Sequence, residues 1–259
     1  MQTQILLHES AAVLPQGRAA KPNRSFVELQ VVLPVYNEAD SIGNVLDEWC
    51  PQLDRCCSRY VILAIDDGSM DETSAVLRAQ SLKWGSRLEI IRQENRGHGQ
   101  TVLKGYQLAF ERRIPWVFQI DSDGQCDARY FPRLWRARKD HDVVSAYRVW
   151  RRDGWHRILI STVLRWFILL FSGTYCRDAN VPYRLMRTDA IKPLLDKIPP
   201  SFSHANVALA VLAKRAKLRH GHVPIVFRAR MGGQPSVPCL QFGAKAFRLY
   251  HNLRNLVAN

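Results

Sequence analysis

The sequence predicts an α/β fold, in which a mostly parallel sheet is flanked by helices on both faces. Two observations indicate it. Strand and helix patterns alternate between residues 27 and 147, which is typical of parallel strands joined by helical crossovers. Hydrophobic residues make up 47% of the 259-residue chain, enough to bury the core of one large domain.

The first two strands and helices follow from local patterns. Residues 27–35 (VELQVVLPV) form a continuous apolar, β-branched run, which is typical of a strand buried on both faces. A helical pattern covers 41–53, and residues 60–65 (YVILAI) predict a second strand. The sequence Ser69-Met70-Asp71-Glu72 has the form of a capping box, so we expect the next helix to begin there.

Three more strands follow in the same alternation. Residues 88–91, 116–120 (WVFQI) and 143–147 are strand-like, and helical patterns cover 100–112 and 130–139. The segment Gly97-His98-Gly99 predicts a turn before the first of these helices. Ligands of such sheets bind beyond the carboxyl ends of the strands, so polar residues at 36–38, 66–67 and 121–123 mark the candidate site.

The remainder of the chain is less regular. We predict a strand at 181–186, a helix at 206–214 and a strand at 223–227, while 232–238 (GGQPSVP) has the composition of a loop. The expected organisation is a flexible N-terminal arm at 1–25, one domain at 26–236 and a helical tail at 237–259.

The net charge of +14 suits three kinds of partner: nucleic acid, an anionic membrane surface or a phosphorylated substrate. No DNA- or RNA-binding motif accompanies the charge, so a nucleic-acid-binding protein is the least favoured hypothesis. The six cysteines lack CxxC or zinc spacing, which indicates reduced thiols. We expect neither a signal peptide nor a membrane span, and therefore a cytoplasmic protein.

An acidic triplet, Asp121-Ser122-Asp123, directly follows the strand at 116–120. Two carboxylates one residue apart at a strand end can both face one Mg²⁺ or Mn²⁺ ion, and Gln125 adds a third oxygen. Such an ion would neutralise a departing diphosphate. The alternative interpretation is a solvated acidic turn.

The other strand ends carry candidate nucleotide contacts. Tyr36 offers an aromatic face to a base, and Glu38 can accept hydrogen bonds from a base or a ribose. Asp67 follows the second strand, where a capped helix start is the alternative. Residues 95–99 (NRGHG) bring backbone N–H groups to a helix start, where phosphates bind readily, but neither a GxxxxGKS loop nor a GxGxxG follows a strand.

Four segments in this order and approximate spacing, VVLPVYNE, DDGSMDET, NRGHGQTVLKG and QIDSDGQCD, resemble the family-2 glycosyltransferases of GT-A fold. The resemblance covers about 27–230 and is strongest to dolichol-phosphate mannosyltransferases and similar polyprenyl-phosphate glycosyltransferases. It implies that Pro34, Tyr36, Glu38, Asp67, Asp121, Ser122 and Asp123 hold the donor nucleotide, and that Asp121, Asp123 and Gln125 hold the metal. It also implies phosphate contacts for Arg148, Arg157, Arg184 and Arg230, and catalytic roles for Asp123, Arg148 and Asp178.

The activity implied by this resemblance is inverting, metal-dependent transfer of a sugar from a GDP- or UDP-linked donor to a polyprenyl or dolichyl phosphate. A soluble hydroxyl or glycan acceptor is the alternative, with Asp178 as the base. Family members often carry an acid near the start of the later helix, but His204-Ala205-Asn206 has none. A hydroxyl acceptor needs a base, whereas an ionised phosphate needs cations, so the missing acid favours the lipid phosphate.

A membrane contact is the last expectation. Residues 155–171 mix apolar and aromatic side chains with Arg157 and Arg165, which suits a helix lying in the headgroup region. A buried core helix is the alternative interpretation. The interfacial-helix interpretation predicts a peripheral protein on the cytosolic face of a membrane.

Overall fold

A computed structural model describes residues 26–150, 166, 169–170, 173–199, 202 and 204–230. The strands are β1 (Leu29–Val35), β2 (Tyr60–Asp66), β3 (Leu88–Arg92), β4 (Trp116–Ile120), β5 (Val143–Trp150), β6 (Tyr183–Arg187) and β7 (His220–Val226). The helices are α1 (Ala39–Cys56), α2 (Thr73–Trp84), α3 (His98–Glu111), α4 (Phe131–Ala137), α5 (Thr188–Leu195) and α6 (Ala205–Arg215). The predicted arm at 1–25 and tail at 237–259 lie outside the described residues.

The seven strands form one sheet in the order β3-β2-β1-β4-β6-β5-β7. Every pairing is parallel except those of β6, which runs antiparallel to both β4 and β5. The predicted mostly parallel α/β sheet is therefore confirmed. β1 lies between β2 and β4, so the strand order reverses its direction at β1. In open α/β sheets a ligand cleft forms at such a point.

Alternate residues of the strands supply two cores, one on each face of the sheet. On the α1 side, Trp49, Phe118, Phe131 and Tyr183 form an aromatic cluster with ring centroids 5.0 to 6.1 Å apart. On the other side, α3, α5 and α6 pack over strand residues such as Val32 and carry their own apolar cluster. Both faces of the central strands are thus covered, which explains their continuous apolar sequences.

The helix α3 approaches β1 unusually closely. A Cβ placed on Gly105 would lie 2.3 Å from Cγ1 of Val32, well inside van der Waals contact. The Gly105 carbonyl also accepts a 2.8 Å hydrogen bond from Nε2 of the buried Gln30. Glycine at this position therefore sets the distance between the helix and the sheet.

Several local features differ between the sequence predictions and the structure. The capping box at Ser69 does not form: α2 begins at Thr73, and the residue before it, Glu72, makes no side-chain cap. Ser69 is used elsewhere, because its hydroxyl accepts a 3.0 Å hydrogen bond from the Asn37 backbone N–H. The helix α5 was not predicted, and it is short and contains Pro193. The last strand begins three residues earlier than expected, at His220.

The predicted interfacial helix at 155–171 lies almost wholly outside the described residues. Within the part of the chain that is described, no helix combines the length and apolarity needed to span a bilayer.

Candidate functional site

A cleft of about 490 Å³ opens at the carboxyl ends of the central strands. The predicted donor residues all line it: Pro34, Tyr36, Glu38, Asp67, Asp121, Ser122 and Asp123. Arg230, predicted to contact a phosphate, lines it too. Residues that follow three different strands therefore converge on one cavity, as their positions at strand ends predict.

The two aspartates of the acidic triplet share this cleft. The side chain of Asp123 is largely buried, and its Oδ1 accepts a 3.1 Å hydrogen bond from the Gln125 backbone N–H. Burial, together with the charge of Asp121, raises the pKa of Asp123 to about 6. The charge of Asp121 thus disfavours ionisation of Asp123, and a bound cation would oppose that effect.

Asp67 fixes the loop between β3 and α3. Its Oδ1 accepts hydrogen bonds from Gln93 Nε2 at 2.8 Å and the Arg96 backbone N–H at 2.9 Å. Its Oδ2 accepts a 2.8 Å hydrogen bond from the Gly97 N–H. The neighbouring Gly68 has φ +79°, and a Cβ there would lie 2.9 Å from the backbone nitrogen of Asn95. The loop is therefore held tightly against the end of β2.

This loop delivers a side chain that the sequence interpretation missed. Nε2 of His98, the first residue of α3, lies 3.1 Å from Oδ1 of Asp121. Partial loss of solvent around the imidazole lowers the pKa of His98, but the charge of Asp121 and the hydrogen bond to it, together with the charges of Asp67 and Asp123, raise this pKa above its ordinary value. In the sequence, His98 stands between two glycines at a predicted turn. That pattern indicates a flexible backbone and gives no sign of a contact with Asp121.

An ion pair inside the cleft joins two residues that are 192 positions apart in the chain. Arg230 Nη2 lies 2.6 Å from Oε1 of Glu38 and 3.8 Å from Oδ2 of Asp123. The other oxygen of Glu38 accepts a 2.7 Å hydrogen bond from Ser41 Oγ. Arg230 therefore sits where it can balance the negative charge of the site.

Arg228, two residues earlier, anchors the segment that carries Arg230. Its guanidinium contacts Glu48 Oε2 at 2.6 Å and Asp127 Oδ2 at 2.7 Å. The backbone N–H of Arg228 also donates to the Gln125 carbonyl at 3.1 Å, which ties this segment to the loop of the acidic triplet. The position of Arg230 is thus set by neighbouring ion pairs rather than by its own contact alone.

Other predicted residues lie elsewhere. Arg148 and Asp178 bind each other, as described below, and neither lines the cleft. Gln125 is not among the lining residues either, and its Nε2 donates to the Arg228 carbonyl at 3.2 Å. Its role as a metal ligand stays a prediction. Arg157 lies outside the described residues.

Arg184 differs from its predicted role as a phosphate contact. Its side chain is only 1% exposed, and its Nη atoms donate to the carbonyls of Asn206, Ala179 and Val181 at 2.8 to 3.3 Å. A guanidinium committed in this way to the main chain cannot also face a ligand phosphate. Its physical role is to hold chain segments together.

The acid pair fits a divalent metal that also takes substrate oxygens. In the described part of the chain, no three His, Cys, Asp or Glu side chains gather to hold a metal by themselves. Mg²⁺ commonly binds through one or two carboxylates and completes its shell with water and phosphate oxygens, and Asp121 and Asp123 supply such a pair. Burial and the charge of Asp121 raise the pKa of Asp123, and a cation bound between the two carboxylates would stabilise the ionised form.

The model of the family described as glycosyl transferase family 2 matches residues 30–191, more than half of the chain. The chain belongs to glycosyl transferase family 2. The match spans all the strands of the cleft, from β1 to β6, and the resemblance found in the sequence motifs is confirmed.

Relatives of this family-2 chain include two enzymes named undecaprenyl-phosphate 4-deoxy-4-formamido-L-arabinose transferase. The one from Edwardsiella ictaluri is 28% identical over 204 residues, covering 74% of this chain and 61% of that protein. The one from Sodalis glossinidius is 31% identical over 173 residues, covering 65% of this chain and 51% of that protein. The chain thus matches between half and three-fifths of the length of these relatives.

Solved structures of glucosyl-3-phosphoglycerate synthase from Mycobacterium tuberculosis share the fold. The complex of that enzyme with Mn²⁺, UDP and glucosyl-3-phosphoglycerate superposes with a TM-score of 0.65 at 17% identity, covering 90% of this chain and 80% of that one. Its complex with UDP gives a TM-score of 0.64 at 18% identity, with the same coverage. The predicted GT-A fold of this family-2 chain is confirmed.

Proposed function

We propose that the protein transfers a sugar, with inversion, from a nucleotide-sugar to a polyprenyl phosphate. The observation that carries this proposal is the convergence of Tyr36, Glu38, Asp67, Asp121 and Asp123 in one cleft beneath three strand ends. The names of the relatives, which transfer a sugar to undecaprenyl phosphate, support the acceptor class.

The donor occupies the charged side of the cleft. Tyr36 is exposed within it, so its ring is available to a nucleobase, and Glu38 and Asp67 accept hydrogen bonds nearby. The donor diphosphate lies between Arg230 and the start of α3, where the N–H groups of the first helical turn and the helix dipole favour an anion. GDP and UDP donors both fit this description.

Metal dependence is part of the proposal. Asp121 and Asp123 hold Mg²⁺ or Mn²⁺, which when bound neutralises the diphosphate as it leaves the sugar. A bound cation would favour the ionised form of Asp123, whose pKa burial and the charge of Asp121 raise. Arg230 shares in the same stabilisation, since it already contacts Glu38 and approaches Asp123.

The ion pair of Arg148 with Asp178 favours a phosphate acceptor over a hydroxyl. A hydroxyl acceptor requires a positioned base, and Asp178, the fallback base, has both oxygens engaged by Arg148 away from the cleft. A phosphate is already ionised and attacks without losing a proton. The soluble hydroxyl acceptor is therefore the second candidate.

A lipid acceptor implies contact with a membrane surface. Trp166 and Leu170, one helical turn apart in sequence, are 66% and 77% exposed. Large apolar side chains beside arginines suit the headgroup region, and a net charge of +14 favours an anionic leaflet. We therefore propose a peripheral association at the cytosolic face.

Turnover of labelled UDP- and GDP-sugars with undecaprenyl phosphate, and in parallel with simple sugars, tests this function. We expect product only with the lipid phosphate, loss of product in EDTA and recovery with Mn²⁺.

Asp123→Asn is expected to lose at least roughly 100-fold in rate, since it removes a metal ligand. Asp140→Asn is the control and keeps full rate, because Asp140 is an exposed residue before the amino end of β5, whereas the cleft lies at the carboxyl ends of the parallel strands. Equal rates with and without EDTA would refute the metal role.

A further inference from the structure

One group of cleft residues differs in chemistry from the charged residues at the strand ends. This group, called here the polar wall, consists of Asn180, from the segment before β6, and of His204 and Asn206, from the start of α6. Amide side chains suit a neutral ligand that both donates and accepts hydrogen bonds. A nucleotide-sugar has two such parts, its nucleoside and its sugar. The proposed function assigns the nucleoside to Tyr36, Glu38 and Asp67, which leaves the sugar for the polar wall.

This polar wall is built on Arg184. The buried guanidinium donates to the carbonyls of Ala179 and Val181, on either side of Asn180, and to the carbonyl of Asn206 at the start of α6. One rigid group therefore holds the backbones of both asparagines. Side chains mounted on a fixed backbone bind a ligand with little ordering cost.

Asn206 has an unused acceptor in this wall. The residue is only 4% exposed, and within the described residues its Oδ1 has no hydrogen-bond partner. A buried carbonyl oxygen without a donor is unfavourable, so a ligand that supplies an O–H or N–H gains binding energy there. Diphosphate and ionised phosphate oxygens are acceptors and cannot fill this need, whereas a sugar hydroxyl can.

We propose that Asn206 determines donor specificity by accepting a hydrogen bond from a hydroxyl or amide N–H of the donor sugar. This inference rests on the proposed function, because it assigns the sugar end of the same donor. Sites that bind a substrate hydroxyl through a buried polar group reject analogues that lack it, so Asn206 discriminates among sugars rather than among bases.

Binding of bare and sugar-linked nucleotides separates this role from a structural one. Calorimetry with Mn²⁺ compares UDP with UDP-glucose, UDP-N-acetylglucosamine and UDP-arabinose, and GDP with GDP-mannose. We expect Asn206→Leu to weaken the best-bound sugar nucleotide by roughly tenfold while the matching bare nucleotide changes less than about twofold. Equal weakening of both would overturn the inference.

A conservative variant and a deoxy-sugar panel complete the test. Asn206→Asp keeps an acceptor oxygen, so we expect this variant to keep the preference for the sugar-linked nucleotide. Loss of that preference in Asn206→Asp would count against the Oδ1 contact. We expect the wild-type protein to bind one deoxy-sugar analogue of its best donor more weakly than the donor itself. We expect Asn206→Leu to bind that analogue and the unmodified donor with equal affinity. If wild type binds no nucleotide at all, the proposed function itself fails. If it binds them and Asn206→Leu changes nothing, only this inference fails.

Discussion

Arg148 and Asp178 form a two-point ion pair, with Nε and Nη2 of the arginine 2.7 and 2.8 Å from the two carboxylate oxygens. The side chains are 15% and 11% exposed, and the Arg148 guanidinium also lies over the ring of Phe227. The sequence had suggested one residue for phosphate binding and the other as a base. Their pairing instead joins β5 to the segment before β6.

Breaking this pair should cost stability. Asp178→Asn leaves Arg148 without its charged partner, so we expect the free energy of unfolding to fall by about 2 to 3 kcal/mol in urea titrations. In a double-mutant cycle, Arg148→Met should lessen the cost of Asp178→Asn, because the unpaired cation is gone. A stable Asp178→Asn protein that fails only with a hydroxyl acceptor would restore Asp178 as a base.

Removing His98 should change metal binding in the absence of nucleotide. The imidazole contacts Asp121, and its raised pKa favours the cationic form, which competes with a metal for the same carboxylate. We expect His98→Ala to bind Mn²⁺ roughly three- to tenfold more tightly, measured by calorimetry without substrate. Asp140→Asn serves as the matched surface control. Weaker binding in His98→Ala would mean that His98 orients Asp121 for the metal.

Filling the gap between α3 and β1 should destabilise the fold. Gly105→Ala gains up to about 1 kcal/mol of helix propensity but forces a methyl group against Val32, and we expect a net loss of about 1 to 3 kcal/mol. Gly43→Ala is the matched control, since its Cβ would lie 3.3 Å from the flexible end of Gln80 and in ordinary contact with Val76 Cγ1 at 3.7 Å. Adding Val32→Ala to Gly105→Ala should remove part of the clash, and a Gly105→Ala protein as stable as wild type would disprove the close packing.

The pH dependence of stability should carry a contribution from His220. Burial, reinforced by the charge of Lys214, lowers the pKa of His220 to about 4, below the value of about 6.5 expected in the unfolded chain. The neutral imidazole therefore makes its full contribution to the free energy of unfolding above pH ~6.5. This contribution, roughly 3 kcal/mol in total, is lost as the pH falls towards 4.

Urea unfolding between pH 7.5 and 4.5 measures this effect. The variant His220→Gln cannot titrate, so its free energy of unfolding should fall less steeply than that of wild type between pH 6.5 and 4.5. His98→Ala provides a comparison of opposite sign, because the pKa of His98 is raised and its contribution is lost as pH rises. Parallel curves for wild type and His220→Gln would argue against a buried neutral imidazole.

Local sequence patterns predicted most of the sheet. β4 has its predicted bounds, and β1, β2 and β3 differ by one or two residues at one end, because continuous apolar runs leave little choice of structure. Short or ambiguous signals failed. The helix α5 was too brief and contains a proline, and Ser69 serves the loop after β1 instead of capping α2.

By itself, the sequence determined the fold class, the family and the set of polar residues at the strand ends, because hydrophobic periodicity and motif order are local properties of the chain. Only the tertiary structure decided which of these residues meet. Glu38 and Arg230 are 192 positions apart, and the burial of Arg184 depends on the carbonyl of Asn206, 22 positions away, as well as on the nearby carbonyl of Ala179. Such contacts depend on how packed elements bring competing donors and acceptors together, which no local pattern specifies.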